Sequence, residues 1–373
     1  MKAKSKKWLE AKIAKINALE SYAPETTTKK IAKQYGLSPG SIAKLNFNEN
    51  LYVPRAKIVA LLKEVAEEID LRLYPQEEEE KLREAITKYL GLPQSCVAIG
   101  NSSDEVMDRV TRLFLERDDR AVTFAPTFSV FRYCVKYQGA EYVSVSLRNG
   151  FKLDIRAMRA VFTPETKLLY LCSPNNPTGN QFGLEEVEAL IEAFPGIVMV
   201  DEAYGEYANY SVIPLIDKYE NLLVLRTFSK AFGLAGLRLG YAVANPTLAK
   251  AINKIPAPYA INIVSLTMGR KILENVGIMK EAVVALKAER EKLINALNEI
   301  RGVEAFDSRA NFVLFNAEKP YEDVYINMLK QGLIIKKLGK LLTYENCLRA
   351  TVGLPEMNMK LLNALRAYLG EEA

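Results

Sequence analysis

The 373-residue sequence contains no histidine. The side chain that most often moves protons near neutral pH is missing, so any acid–base step must fall to another group. Cysteine is sparse: Cys96, Cys134, Cys172 and Cys347 lie far apart, with neither a CxxC pair nor a dense framework. That spacing suits reduced thiols in a cytoplasm rather than a disulfide scaffold, and no metal is expected. No apolar run approaches the roughly 20 residues needed to span a bilayer, which excludes a membrane protein. One sign of charge does not dominate either: 50 Lys plus Arg against 45 Asp plus Glu leaves +5, spread along the chain. Nucleic-acid binding gets no support from that balance.

What is present is ample apolar material for a large core, and the length favours two domains or a large α/β domain with a smaller partner. The N-terminal "MKAKSKKWLEAKIAKINALE" is basic and amphipathic, but it has no arginine, carries early acids and lacks the apolar centre of a signal peptide. It is expected to be a surface helix packing Trp8, Leu9, Ile13, Ile16 and Leu19. Residues 27–45 have the outline of a helix-turn-helix, although the second helix would be short and runs into an extended segment at Pro54.

From about 96 to 245 apolar, β-rich runs alternate with helical repeats: "CVAIG", "AVTFAP", "YVSVSL", "KLLYLCSP", "IVMVDEAY", "LLVLRTFSK" and "RLGYAVA". These read as strands buried on both faces, with helices between several of them, and predict a largely parallel, doubly wound sheet. Sites in such sheets lie at the carboxyl ends of the strands. From about 262 a long helical run, "ANFVLF", "GLIIKKL", "CLRATVG" and a last helix at 355–369 predict a smaller α+β domain. The expected division is an N-terminal arm at 1–45, belonging with the small domain and a dimer contact, a large domain at 46–261, and a small domain at 262–373.

Four strand-ending segments carry polar groups that a plain fold would not need. "GNSSDE" opens a helix, with Ser102 and Glu105 spaced as a capping box and free N–H groups available to an anion. "CSPNNPTG" offers two adjacent amides held by Pro177 and Gly179. "VMVDEAY" puts Asp201 behind an apolar strand, where a carboxylate needs a cationic partner. Each of these also suits a structural role: a cap, a turn, a buried salt bridge. "RTFSKAFGLAGLR" narrows the choice, because Lys230 sits between the hydroxyls of Thr227 and Ser229 and Arg238, a phosphate-binding combination around an amine that can form an imine. Together they call for a ligand with an aldehyde, a phosphate, a phenolic oxygen to meet Asn176 and Tyr204, and a ring nitrogen to pair with Asp201. Pyridoxal 5'-phosphate has all four.

The order "GNSSDE", "PTF", "SPNNPTG", "VDEAY", "TFSKAFGLAGLR" and "LRATVG" resembles the fold type I pyridoxal-phosphate aminotransferases, and within them is similar to the histidinol-phosphate aminotransferases. The resemblance implies their fold: a large domain with a mostly parallel seven-stranded sheet and a smaller α+β domain. It implies that Lys230 holds the cofactor aldehyde and shuttles the substrate proton, that Asp201 keeps the ring nitrogen protonated, and that Asn176 and Tyr204 bind the ring oxygen. Phe128 matches the residue that stacks on the ring. The phosphate would be held by Ser102, Ser103 and Asp104 at the helix start, by Thr227, Ser229 and Arg238, and by Tyr74 from the partner subunit of a homodimer with shared sites.

For substrate, Arg349 matches the arginine that takes the anionic group, a surface arginine being the alternative. Asn48 and Asn50 match the segment lining the pocket, and Tyr22 a tyrosine of the partner's arm. Two departures bear on substrate. The family's "NENPYGP" is "NENLYVP" here, and Lys336 stands where a second arginine usually meets the substrate phosphate; lysine keeps the charge and loses the planar fork. The expected reaction is amino transfer between histidinol phosphate and 2-oxoglutarate in histidine biosynthesis. An aromatic or other amino acid aminotransferase, a threonine-phosphate decarboxylase, and a regulator with an aminotransferase-like sensor are the alternatives.

Overall fold

The structure is a computed structural model that describes residues 2–20 and 26–370, the side chains from residue 5 onward; Tyr22 lies outside the described residues. The first strand, β1 (Ala43–Lys44), is separated by more than fifty residues from the strands that build the large sheet. Those are β2 (Val97–Gly100), β3 (Arg120–Ala125), β4 (Glu141–Ser146), β5 (Thr166–Cys172), β6 (Ile197–Asp201), β7 (Leu222–Thr227) and β8 (Gly240–Ala244). They are the seven runs expected from the sequence, in the spatial order β2-β8-β7-β6-β5-β3-β4. Only β8 opposes its neighbours; the others run the same way.

Alternation places Val198 and Val200 in the core on one face of the sheet and Met199 in the core on the other. Both faces are therefore dry along the central strands, and continuous apolar runs form strands there rather than amphipathic helices. β4 departs from that expectation: Glu141, Ser144 and Ser146 are exposed. It is the edge strand with β3 as its one partner, so fewer layers cover it.

The second unit contains β9 (Val303–Ala305), β10 (Phe312–Ala317), β11 (Leu333–Ile334), β12 (Lys336–Leu341) and β13 (Tyr344–Thr351). Four of these form the antiparallel order β12-β13-β10-β9, while β11 pairs in parallel with β1. The helical run after 262 is two helices, Ile263–Glu274 and Gly277–Asn298, and the first packs on Arg55–Glu68 and Glu78–Leu90.

Two N-terminal expectations are corrected. The helix Lys2–Asn17 forms, but Trp8, Leu9, Ile13, Ile16 and Leu19 are exposed rather than packed on this chain. Every residue from 5 to 20 is exposed, so no face of this helix is buried on the chain. The helix-turn-helix outline does not form either: Thr28–Tyr35 is followed by a single 3-10 turn at Pro39–Ser41 and then β1. Pairing with β11 draws that segment into extended backbone. Among the described residues no helix is long and apolar enough to cross a membrane.

Candidate active site

The parallel strands end together. Cys172 of β5 is in register with Asp201 of β6, and Thr227 of β7 faces Gly240 of β8, so the loops after these strands meet above one edge. They enclose a cavity of about 990 Å³ that also takes in the start of the helix Ser103–Phe114 and residues of β12 and β13.

The helix start is cut close to the sheet. A Cβ on Gly240 would lie 2.3 Å from the Ser103 nitrogen, and one on Gly100 2.4 Å from Val106, so glycine alone permits the approach. Ser102, Ser103 and Asp104 line the cavity, and the first-turn N–H groups have no partner within a helix. The expected capping box is absent: Ser102 has φ +83° and its side chain makes no cap bond. Glu105 instead accepts from the Asn101 N–H at 3.2 Å and pairs with buried Arg109 at 2.6 Å. The left-handed turn takes the serine hydroxyl out of capping range, which keeps the helix start available to an anion.

Around it stand the other anion-binding candidates. Arg238 donates to Asp104 at 3.2 Å and to the Ser229 hydroxyl at 3.4 Å, and the Thr227 hydroxyl accepts from the Ser229 N–H at 3.1 Å. One guanidinium, two hydroxyls and a helix N-terminus converge on a single spot.

Asp201 is 3% exposed. Its carboxylate accepts from the Tyr170 hydroxyl at 2.8 Å and the Ala203 N–H at 3.0 Å, and among the described residues no cation pairs with it. A structural salt bridge is thereby excluded. Burial pushes its pKa up to about 6. A carboxylate held by two donors and left without a cation at a cavity wall fits a protonated ring nitrogen.

Lys230 reaches across, donating to the Phe47 carbonyl at 3.0 Å, with its nitrogen 5.9 Å from the centre of the Tyr204 ring. Burial and then the nearby charge of Arg349 lower its pKa to about 8. Tyr204 accepts from Asn48 Nδ2 at 2.9 Å. Phe128 also lines the cavity and packs against the core beneath.

Arg349 is buried, which removes the surface reading. Its guanidinium lies over the Phe312 ring, donates to the Asn46 carbonyl at 2.8 Å, and donates to Asn176 Oδ1. With the amide oxygen engaged there, Nδ2 is the end of Asn176 available to a bound oxygen. Lys336 is the register partner of Arg349 across β12 and β13, so both project from the same face.

Two expected residues are elsewhere. Asn50 lies outside the cavity lining, donating to the Ala231 carbonyl at 2.8 Å and accepting from the Tyr52 N–H at 3.0 Å; it pins the residue after Lys230. The reason is a break in the extended run: Asn48 has φ +56°, so the alternation that would put residues 48 and 50 on one face is lost. Tyr74 is 74% exposed and stacks on Tyr259, well outside this chain's own cavity lining. Tyr22 cannot be assigned a position, being outside the described residues. Sequence reasoning missed Tyr170 and the carbonyls of Asn46 and Phe47. A hydroxyl two residues before the end of a buried strand was a usable signal for Tyr170; main-chain groups leave none.

The family model "Aminotransferase class I and II" matches residues 41–365. Histidinol-phosphate aminotransferase of Caldanaerobacter subterraneus subsp. tengcongensis is 36% identical over 327 residues, 87% of this chain and 93% of that protein. The Methanosarcina mazei enzyme of the same name is 35% identical over 356 residues, 95% of each. The crystal structure of histidinol-phosphate aminotransferase from Sinorhizobium meliloti in complex with pyridoxal-5'-phosphate superposes with a TM-score of 0.84 at 25% identity, covering 93% of this chain and 95% of that one. The chain belongs to the class I and II aminotransferases, pyridoxal-phosphate-dependent enzymes of fold type I. Pyridoxal 5'-phosphate is its cofactor, and the unpaired Asp201, the glycine-lined anion cradle and the amine of Lys230 suit its three functional groups.

A pH dependence follows for Lys230. Burial and Arg349 both disfavour the ammonium, so the reactive free amine dominates above about pH 8. In the cofactor-free protein, colour formation on adding pyridoxal phosphate is expected to accelerate with pH and level off above that value. Arg349→Gln removes one of these causes and moves the midpoint upward; stopped-flow absorbance checks both.

Proposed function

We propose that the protein moves an amino group between histidinol phosphate and 2-oxoglutarate, a step of histidine biosynthesis. The observation that carries this reading is the pair Arg349 and Lys336, two cations in register on one face and lining the same cavity as Lys230. Such a pair suits a substrate with an anion at more than one end, and the names of the relatives agree. Histidinol phosphate offers its phosphate, glutamate its two carboxylates.

When bound, the cofactor supplies an aldehyde and an electron-withdrawing ring. The chain's residues do the rest. Asp201 holds the proton at the ring nitrogen. Lys230 carries the proton to and from the substrate Cα, a task that no histidine could take here. Asn176 and Tyr204 meet the ring oxygen, Tyr204 being set in place by Asn48. Phe128 covers the ring face. Ser102, Ser103, Asp104, Thr227, Ser229 and Arg238 hold the cofactor phosphate. Arg349 takes the substrate anion as a fork.

A homodimer completes the reading. Tyr74, exposed on its own subunit, would reach the partner's phosphate. A reducing cytoplasm suits the four buried thiols. An aromatic amino donor is the second reading, favoured by the unforked Lys336 and by Leu338 and Leu341 in the lining.

Single-turnover spectra with histidinol phosphate, glutamate, phenylalanine and phosphothreonine separate these. Rapid conversion by histidinol phosphate and glutamate is the expected result; reaction with phenylalanine alone, or release of carbon dioxide from phosphothreonine, rejects it. Arg349→Ala is expected to raise KM for both histidinol phosphate and glutamate at least about tenfold, since charge-assisted hydrogen bonds to the anion are lost.

A further inference from the structure

One cation of the cavity has no role in that account. Arg132, on the helix Val130–Gln138, lines the same cavity as Lys230 and Lys336 and belongs to none of the cofactor motifs. Its guanidinium pairs with the carboxylate of Glu20, in the N-terminal arm just beyond the helix Lys2–Asn17. Lys136, one turn further along, reaches the other oxygen of that carboxylate at 3.4 Å, and the Tyr137 hydroxyl donates to the Glu20 carbonyl at 3.1 Å. Arg132 Nε is buried and, among the described residues, has no hydrogen-bond partner. A carboxylate therefore already contacts this guanidinium through one terminal nitrogen, and the buried Nε–H beside it is left over.

Three of the four other cations of the lining have contacts that tie them elsewhere. Arg238 faces Asp104, Arg349 is held by Asn176 and the Asn46 carbonyl, and Lys230 by the Phe47 carbonyl. Arg132 is held by a carboxylate from a separate segment, and the pair is half-exposed, 39% and 49%. Such pairs contribute little to stability, so exchanging the carboxylate for another anion costs little. A phosphate monoester carries more charge and three acceptor oxygens, and matches a planar fork better than a carboxylate does.

We propose that Arg132 binds the distal phosphate of the amino donor and that Glu20 occupies the same guanidinium when no phosphate is there. This rests on the histidinol-phosphate reading and deepens it. Arg132 supplies the planar fork that Lys336 lacks, so phosphate selectivity in this chain comes from a helix of the large domain as well as from β12. Glu20 makes the site self-competing, and the arm that carries it is displaced from this contact as substrate enters.

The test uses cofactor-saturated protein, in which the cofactor phosphate site is filled, and compares half-reactions with histidinol phosphate, histidinol and glutamate. Arg132→Gln is expected to raise the apparent Kd of histidinol phosphate about tenfold or more, with histidinol and glutamate changed less than about twofold and the limiting rates kept. Arg132→Lys restores part of the loss. Glu20→Gln, which leaves the cavity wall intact, is expected to tighten histidinol phosphate by a few-fold. Equal weakening of histidinol phosphate and histidinol by Arg132→Gln, or no weakening of either, overturns the proposal, as does an unchanged affinity in Glu20→Gln. Inorganic phosphate, titrated as an inhibitor of the glutamate half-reaction, is an independent arm. Weaker inhibition in Arg132→Gln supports the site, and unchanged inhibition rejects it. Should the wild-type protein not react with histidinol phosphate, the substrate reading falls, while the phosphate arm still decides the fate of Arg132.

Discussion

Lys230→Ala is expected to lose at least about a thousandfold in turnover, because both the amine that holds the cofactor aldehyde and the base at the substrate Cα disappear together. No neighbour can take over. The sequence has no histidine, and the neighbouring cations of the cavity, Arg349 and Arg238, are guanidinium groups, which offer donors and no acceptor. The variant should also lose the borohydride-trapped adduct at position 230, while still binding the cofactor through its phosphate and ring contacts. Its fold should persist, since Lys230 is only partly buried, its side chain donates to the Phe47 carbonyl, and its main-chain bond from the Gly233 N–H is unaffected. A small primary amine added to the medium should restore part of the rate by entering the space the side chain leaves. Steady-state turnover near wild type, or an adduct trapped at another lysine, would remove Lys230 from its role.

Asp201→Asn is expected to slow the reaction by roughly 10²–10³, the scale on which removing one preorganised electrostatic partner usually acts. Its effect on stability should have the opposite sign when the cofactor is absent. Burial raises the pKa of Asp201 from 3.8 to about 6 in the folded chain. The folded state therefore binds the proton more tightly than the unfolded one. The associated stability is full below about pH 4 and is lost as pH rises through 6. The loss is on the order of 3 kcal/mol if the shift is taken at face value. Cofactor-free Asp201→Asn should therefore match wild type near pH 4 and melt higher than wild type at pH 8, keeping an acceptor for the Ala203 N–H. Adding the cofactor should reverse the order at pH 8, because a protonated ring nitrogen gives the wild-type carboxylate its missing cation. Thermal melts of both proteins with and without cofactor at the two pH values check this; an unchanged order on adding cofactor would separate Asp201 from the ring nitrogen.

The two predictions rest on residues that were legible for different reasons. Asp201 follows four apolar residues that could only be a strand, so a carboxylate at that point had to be buried and in need of a partner. Lys230 stood out through its neighbours, two hydroxyls and an arginine, all supplied by one continuous loop. By contrast, Asn48 and Asn50 looked equivalent in "NFNENLYVP". Only the folded chain separates them, since Asn48 donates to Tyr204 and Asn50 turns back to Ala231. The capping box failed in the same way: the spacing of Ser102 and Glu105 was right, but Arg109 and a left-handed serine redirect both side chains.

The primary structure on its own determined the seven strands of the large sheet and singled out the lysine, aspartate, hydroxyl and arginine candidates that line the cavity at their carboxyl ends. These depend on periodicity and on groups close together along the chain, which act within a few residues. Tertiary structure alone decided the rest: the Tyr170 hydroxyl behind Asp201, the carbonyls of Asn46 and Phe47 on Arg349 and Lys230, and the meeting of Glu20 with Arg132. Those contacts join segments up to 303 residues apart. Their geometry comes from how β1 is zipped onto β11 and how the helices pack, and no local pattern of residues encodes it.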